Sequence, residues 1–204
     1  AAMNDENPET AEPAAGPGEI PGEIPEEIPE GALRGIERLL VEGEAALARR
    51  QGGEAMMIFR KAVMLVPNDW RGYERLAHVL RRSGRFDEAI KVAERGTALA
   101  PQEPAMLVEL GLARRLVARG DSIAPLKRAC ELAPKRADFQ TYLGDAYIES
   151  NRQNRKAAAA FRRALELDPE NPQRMIRLAG VLSISGKPDE AAAILEEARA
   201  LAPE

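Results

Sequence analysis

Five prolines, Pro67, Pro101, Pro134, Pro169 and Pro203, stand 34, 33, 35 and 34 residues apart. A fixed period of that length restricts the chain to architectures built from a repeated supersecondary unit. Each proline follows a short apolar run ending in leucine and one further residue: Leu65-Val66, Leu99-Ala100, Leu132-Ala133, Leu167-Asp168 and Leu201-Ala202. Proline lacks the N–H that would continue a helical ladder and pushes the residue before it out of helical geometry, so each one marks a helix end. A second break falls midway through each unit, near Gly52-Gly53, Ser83-Gly84, Gly120-Asp121, Asn151 to Asn154, and Ser185-Gly186. Glycine and asparagine there tolerate the left-handed conformation that closes a helix. Every unit is therefore expected to be helix, tight turn, helix and proline turn. Composition agrees, since only 4% of residues are aromatic and Ala, Leu, Glu and Arg dominate over strand formers.

The second helix of each unit repeats a trio at i, i+4 and i+7, which lies on one face of a helix. The trios are Ala55, Phe59 and Ala62; Ala89, Ala93 and Gly96; Ser122, Leu126 and Ala129; Ala157, Phe161 and Ala164; and Ala191, Leu195 and Ala198. Small residues stand where helices must approach closely and bulky ones fill the space between. Phe59, Phe161 and Leu195 are accordingly expected to be buried and sensitive to truncation.

These units resemble tetratricopeptide repeats. Leu143-Gly144 with Tyr147 matches the first-helix motif of that family in full, and Leu110-Gly111, Leu76-Ala77 and Leu178-Ala179 match it in part. The small, bulky, small and proline signature of the second helix recurs five times. The third unit is one residue short in its turn and the fourth one long, which should alter the superhelix slightly. The resemblance implies an all-α, right-handed solenoid of about five repeats over residues 32–204, with approximate repeats 36–69, 70–103, 104–136, 137–171 and 172–204. A lone hairpin cannot bury its apolar face, so such an array is stabilised by stacking.

The resemblance also implies that the first helices line a concave groove that binds a peptide or partner helix. Carried over by phase, its lining is Arg71, Glu74, His78, Arg81 and Arg82 in the second unit and Val108, Leu112 and Arg115 in the third. The fourth contributes Asp138, Thr141, Asp145 and Glu149, and the fifth Gln173, Ile176 and Gly180. Such a groove is basic in its first half and acidic further on. These charges are either an ordinary solvated face or a site at which Arg71, Arg81, Arg82 and Arg115 attract an acidic segment. A carboxylate clamp of the kind some family members use is not supported, because Glu44 and His78 occupy the expected asparagine positions.

Residues 1–31 form a contrasting tail. Residues 1–35 hold nine acids against Arg34 alone, a net −8, within an overall net charge of −4. Six prolines from Pro8 to Pro29 interrupt any helix, and the segment has too little apolar surface to offset its ordering entropy, so it is expected to be disordered when free. Ile20-Pro21-Gly22-Glu23, Ile24-Pro25-Glu26-Glu27 and Ile28-Pro29-Glu30 repeat with a period of four. This stretch is either a solvated linker or a recognition motif in which Ile20, Pro21, Ile24, Pro25 and Ile28 act as a self-ligand for the groove.

Several function classes find no support. Cys130 is the single cysteine and His78 the single histidine; they fall on different helices more than a repeat apart, so no nucleophile and base are paired. Phosphate-loop, zincin and calcium-loop motifs are absent, and no catalytic residue, cofactor or metal site is expected. Adjacent arginines such as Arg81-Arg82 split between helix faces, and aromatics for base stacking are few, which argues against nucleic acid. No apolar stretch approaches the roughly 20 residues of a membrane span. The chain is read as soluble; the sequence does not fix its compartment, the cytoplasm being favoured while Ala1-Ala2-Met3 is compatible with a cleaved export signal.

The expected function is a non-catalytic scaffold or adaptor for a protein or peptide, with a targeting or regulatory domain of a larger enzyme, for example a transferase, as the alternative. Ala192, Ile194, Leu195 and Leu201 form a final helix with nothing behind it. Either the natural chain continues past Glu204 or this end self-associates.

Overall fold

The computed structural model describes residues 31–117, 122–150 and 153–201. Among them are ten helices and no strand: α1 Ala32–Ala48, α2 Gly52–Leu65, α3 Trp70–Arg82, α4 Phe86–Leu99, α5 Pro104–Val117, α6 Ile123–Leu132, α7 Ala137–Glu149, α8 Asn154–Leu167, α9 Pro172–Ile184 and α10 Pro188–Leu201. The tail with its five self-ligand residues, the turn residues Gly120, Asp121 and Asn151, and Pro203 lie outside the described residues.

The periodic prolines act as their chemistry dictates. Val66, Ala100, Ala133 and Asp168, each directly before a proline, adopt φ between −130° and −146° with ψ between 69° and 80°, outside helical space. The turn that follows sets up the next first helix. Asp69 caps α3 by accepting from the Arg71 N–H, and Asn171 caps α9 by accepting from the Arg174 N–H. Buried Tyr73 ties the Pro67 turn to α3, its hydroxyl donating to the Pro67 carbonyl at 2.9 Å.

Among the described residues three breaks between paired helices, after α1, α3 and α9, are left-handed closures, with one correction to the sequence reading. Gly84 and Gly186 both adopt φ 77°, and the N–H groups of Arg85 and Lys187 donate to the carbonyls of Leu80 and Leu182, closing α3 and α9. In the first unit, however, Gly52 and Gly53 open α2. Arg50 takes the left-handed position at φ 61°, and the Gln51 N–H donates to the Ala46 carbonyl. The closure needs a residue two positions beyond the last turn of α1, and the glycines come two residues too late to supply it.

Each helix packs on its chain neighbour, α1 on α2 through α9 on α10, and first helices also meet in series: α1 with α3, α3 with α5, and α5 with α7. The result is a solenoid whose core is a chain of linked clusters running from Ile36 and Phe59 through Tyr73, Leu126 and Phe139 to Phe161 and Leu182. Glycine in a first helix receives the bulky residue of its partner. A Cβ at Gly43 would lie 2.3 Å from the Phe59 ring, one at Gly111 2.5 Å from Leu126, and one at Gly144 2.6 Å from the Phe161 ring. Where the first helix carries Ala77 instead, its partner supplies the small Ala93, also buried.

Phe59 and Phe161 are fully buried, but the expectation for Leu195 is corrected: it is 45% exposed. Its counterparts in the four preceding units are covered by the next hairpin, and among the described residues none follows α10. Leu201 is exposed to the same extent.

Candidate interaction groove

The first helices α1, α3, α5, α7 and α9 are joined on their common side by a ladder of ion pairs. Arg75 of α3 lies 3.1 Å from Glu44 of α1 and 3.1 Å from its neighbour Glu74. Glu109 of α5 faces two residues of α3: its Oε1 lies 3.0 Å from His78 Nδ1, and its Oε2 accepts from Arg81 Nε at 2.9 Å. Arg115 of α5 reaches Asp145 and Glu149 of α7 at 3.4 and 3.3 Å. Arg177 of α9 donates to Asp145 at 2.5 Å, and Arg174 Nε donates to Thr141 Oγ1 at 3.1 Å. Each rung spans about one repeat in sequence and ties neighbouring units together.

The expected charge division along the groove is therefore locally neutralised. Arg71 is held by Asp69 at 2.6 Å and Asp138 by Arg136 at 2.6 Å, each pair joining the N-cap of a helix to its first turn. Arg81 is bound to Glu109, and Arg115 to Asp145 and Glu149. Arg82 is exposed at the end of α3, and Gln173, Ile176 and Gly180 are exposed on α9. Val108 and Leu112 are not open lining: they leave 6% and 5% of their surface exposed and pack in the cluster with Leu126, Phe139 and Leu143.

Burial tunes the carboxylates. Desolvation pushes the Glu109 carboxyl up, but the hydrogen bonds from His78 and Arg81 and the Arg81 charge outweigh it, and the group sits below its usual value. Asp145 goes the other way: its burial is the larger effect and raises it despite Arg177 and Arg115. Glu74 is also raised, by burial first and by the negative charges of Glu109 and Glu44, against the pull of Arg75 and His78.

The groove opens at its α1–α3 end. A cavity of about 380 Å³ is lined by Leu40, Val41 and Glu44 of α1 and by Trp70, Arg71, Glu74 and Arg75 of α3. Val41 is 70% exposed there. An apolar floor with charged groups at the margin is the usual build of a site that seats an aliphatic side chain of a larger ligand.

Two tetratricopeptide-repeat family models match the sequence, one over residues 70–115 and the other over residues 151–204. This chain is a tetratricopeptide-repeat protein. Solved structures of the same architecture agree. MamA, residue 41 to its end, from Desulfovibrio magneticus RS-1 superposes with a TM-score of 0.72 at 20% identity, over 81% of this chain and 94% of that one. A thermophilic tetratricopeptide-repeat protein of Thermus thermophilus gives 0.67 at 23% identity, over 83% and 92%. YrrB, described as a tetratricopeptide-repeat protein with an unusual peptide-binding site, gives 0.66 at 16% identity, over 85% and 93%. A search of curated proteins returned no match.

Of the residues that phase assigns to the groove of the tetratricopeptide array, Arg71 and Glu74 line this cavity, as does Glu44 from the clamp position, whereas Leu40, Val41, Trp70 and Arg75 were missed. The lone tryptophan opening α3 was the available signal. Phase reasoning also missed Glu109, a single carboxylate inside the buried run Met106 to Ala113; an isolated acid in such a run requires a basic partner on a neighbouring element. Among the described residues no helix is long and apolar enough to cross a membrane, and no cluster of three or more His, Cys, Asp or Glu could hold a metal. Cys130 is buried in the core, and desolvation, followed by Asp138 and Glu131, pushes its thiol up to about 11.

Proposed function

We propose that this tetratricopeptide-repeat protein is a scaffold that holds an extended, partly apolar and acidic segment of a protein partner on the side formed by its first helices, entering at the α1–α3 end. The observation that carries this reading is the cavity beneath Val41 and Trp70. Its volume lies at the lower end of small-ligand pockets and suits one aliphatic anchor of a longer peptide. Arg71 and Arg75 line it and are partly exposed, so each can add a contact to an acidic flank beside the pairs they already make with Asp69, Glu44 and Glu74. The peptide-binding site attributed to YrrB, on the same fold, supports the reading by analogy.

Trp70 is the single tryptophan, so intrinsic fluorescence reports on this cavity directly. A displayed library of random peptides selected against the full chain should enrich acidic sequences with an isolated aliphatic residue, and these should shift Trp70 emission on titration. Val41→Asp, at an exposed position, should abolish their binding while leaving the helical circular dichroism spectrum intact. Enriched peptides that bind Val41→Asp as well as the parent, with no Trp70 response, would remove the cavity from the function.

A further inference from the structure

The tail and the end of the array to which it is joined are opposite in charge. Residues 1–30 contain nine acids and no base, a net −9, whereas residues 31–82, which build α1 to α3, contain ten bases and six acids, a net +4. Since the whole chain carries −4, residues 83–204 hold the remaining +1, and most of the positive charge of the array lies beside the attachment point of the tail. The apolar residues of the tail are equally particular: between Glu19 and Glu30 the large ones are Ile20, Ile24 and Ile28 alone, each followed by proline.

Length decides which isoleucine fits. Leu40 lies nine residues and Glu44 thirteen residues along α1 from Gly31, which at about 1.5 Å per residue places the cavity roughly 14–20 Å from the point where the helix begins. A proline-bearing segment in polyproline II geometry advances about 3.1 Å per residue, so the three steps from Gly31 to Ile28 cover roughly 9 Å and the seven steps to Ile24 roughly 22 Å. Ile28 falls short, Ile24 reaches the cavity, and Ile20 overshoots it. Gly31 itself adopts φ 90° with nothing within 4 Å of a Cβ placed on it, so the chain can turn at this residue without steric cost.

We propose that the cavity between α1 and α3 is the docking site of the chain's own tail, with the Ile24 side chain seated between Val41 and Trp70 and the flanking Glu23, Glu26 and Glu27 held near Arg71 and Arg75. This assignment rests on the cavity reading above and gives it a regulator: the tail occupies the place of a partner and must be displaced. Tethering supplies an effective concentration of order 1 mM, so an intrinsic affinity of order 0.1 mM would weaken the apparent binding of a competing peptide about tenfold. Docking through charge and one apolar anchor is also weakened by salt, since exposed pairs are screened within about 3 Å at 1 M.

The test uses the full chain and the acrylamide quenching and emission maximum of Trp70. Ile24→Asp should shift the emission to the red and increase quenching, Val41→Asp should do the same, and the double variant should add nothing to either. Ile28→Asp should behave as the parent, because it shares composition and charge with Ile24→Asp but lacks the reach. A synthetic peptide of residues 17–30 should bind the Ile24→Asp chain about tenfold more tightly than the parent chain.

If Ile24→Asp leaves Trp70 unchanged, or if Ile28→Asp has the larger effect, the proposal is overturned. A Trp70 signal that changes with protein concentration would also overturn it, since it would show a tail docking on a second copy. Failure here leaves the function test separable: library peptides that still require Val41 would establish the cavity as a binding site without the tail as its occupant.

Discussion

The contact between Gly144 and Phe161 makes a prediction whose sign depends on background. Gly144 sits inside α7, where replacing glycine by alanine ordinarily gains about 1 kcal/mol of helix propensity. Here the new Cβ would lie 2.6 Å from Phe161 Cε1 and 2.8 Å from Cδ1 and Cζ, and the fully buried ring has no free space to enter. Overpacking of this kind costs roughly 1–3 kcal/mol. Gly144→Ala should therefore be destabilising by about 1 kcal/mol net once the propensity gain is subtracted. Phe161→Ala alone should cost about 3–5 kcal/mol by leaving a cavity. In that background the obstruction is gone, and adding Gly144→Ala should recover about 1 kcal/mol. Gly180 in α9 is the control: a Cβ there meets nothing within 4 Å, so Gly180→Ala should stabilise by about 1 kcal/mol in either background. Urea unfolding followed by far-ultraviolet circular dichroism gives all four comparisons. If Gly144→Ala has the same effect with and without Phe161, the packing argument is refuted.

Arg50→Gly should raise stability by about 1 kcal/mol, because a residue with a Cβ is strained at φ 61° and glycine is not; an unchanged or lower thermal midpoint would contradict the closure assigned to α1. Glu109→Gln should cost about 2 kcal/mol at pH 7. Because the folded carboxyl is lowered from 4.5, its contribution is complete above that value and is lost as pH falls through the folded value. The gap in stability between parent and variant should thus close in acid, and a gap constant down to about pH 3 would refute the pairing. Glu44→Gln, which leaves the half-exposed Arg75 with Glu74 as its one charged partner, should change stability by less than about 1 kcal/mol while tightening the binding of acidic peptides in a fluorescence titration. Native Cys130 should resist iodoacetamide at about pH 8 and react on unfolding, since only a small thiolate fraction exists when the thiol titrates near 11.

The fold was legible because its determinants are local and repeated. A proline cannot continue a helix beyond its first turn, and five in phase at Pro67 through Pro203 define a period without reference to packing. The trios around Phe59 and Phe161 followed from spacing alone. Leu195 shows where the pattern stops being informative: its local sequence equals that of its counterparts, but burial is decided by whether another hairpin covers it. Arg50 marks a different gap, because a left-handed residue with a Cβ carries no compositional signal and the adjacent glycines drew the assignment away. The groove was legible in outline only. Phase along one helix identifies residues on a face, whereas Glu109 holding both His78 and Arg81 is a relation between two helices that depends on their offset.

That relation bears on how stacking and binding divide the same surface. In the middle of the groove the carboxylates are buried, so a ligand reaching for Arg81 or Arg115 must leave Glu109 or Asp145 without part of its partner set, and uncovering one member of a buried pair costs roughly 3–5 kcal/mol. At the α1–α3 end the pair of Arg75 with Glu44 is about half exposed on both sides, and exchanging one carboxylate for another there costs less than about 1 kcal/mol. A ligand carboxylate that replaces only the exposed Glu44 therefore meets almost no penalty, whereas one that drew Arg75 from Glu74 or Arg71 from Asp69 would uncover a largely buried acid, as over α5 and α7. The rungs that hold the repeats in register thus leave the exposed Glu44 beside the apolar surface of Trp70 and Val41 as the place where the proposed ligand meets the smallest cost.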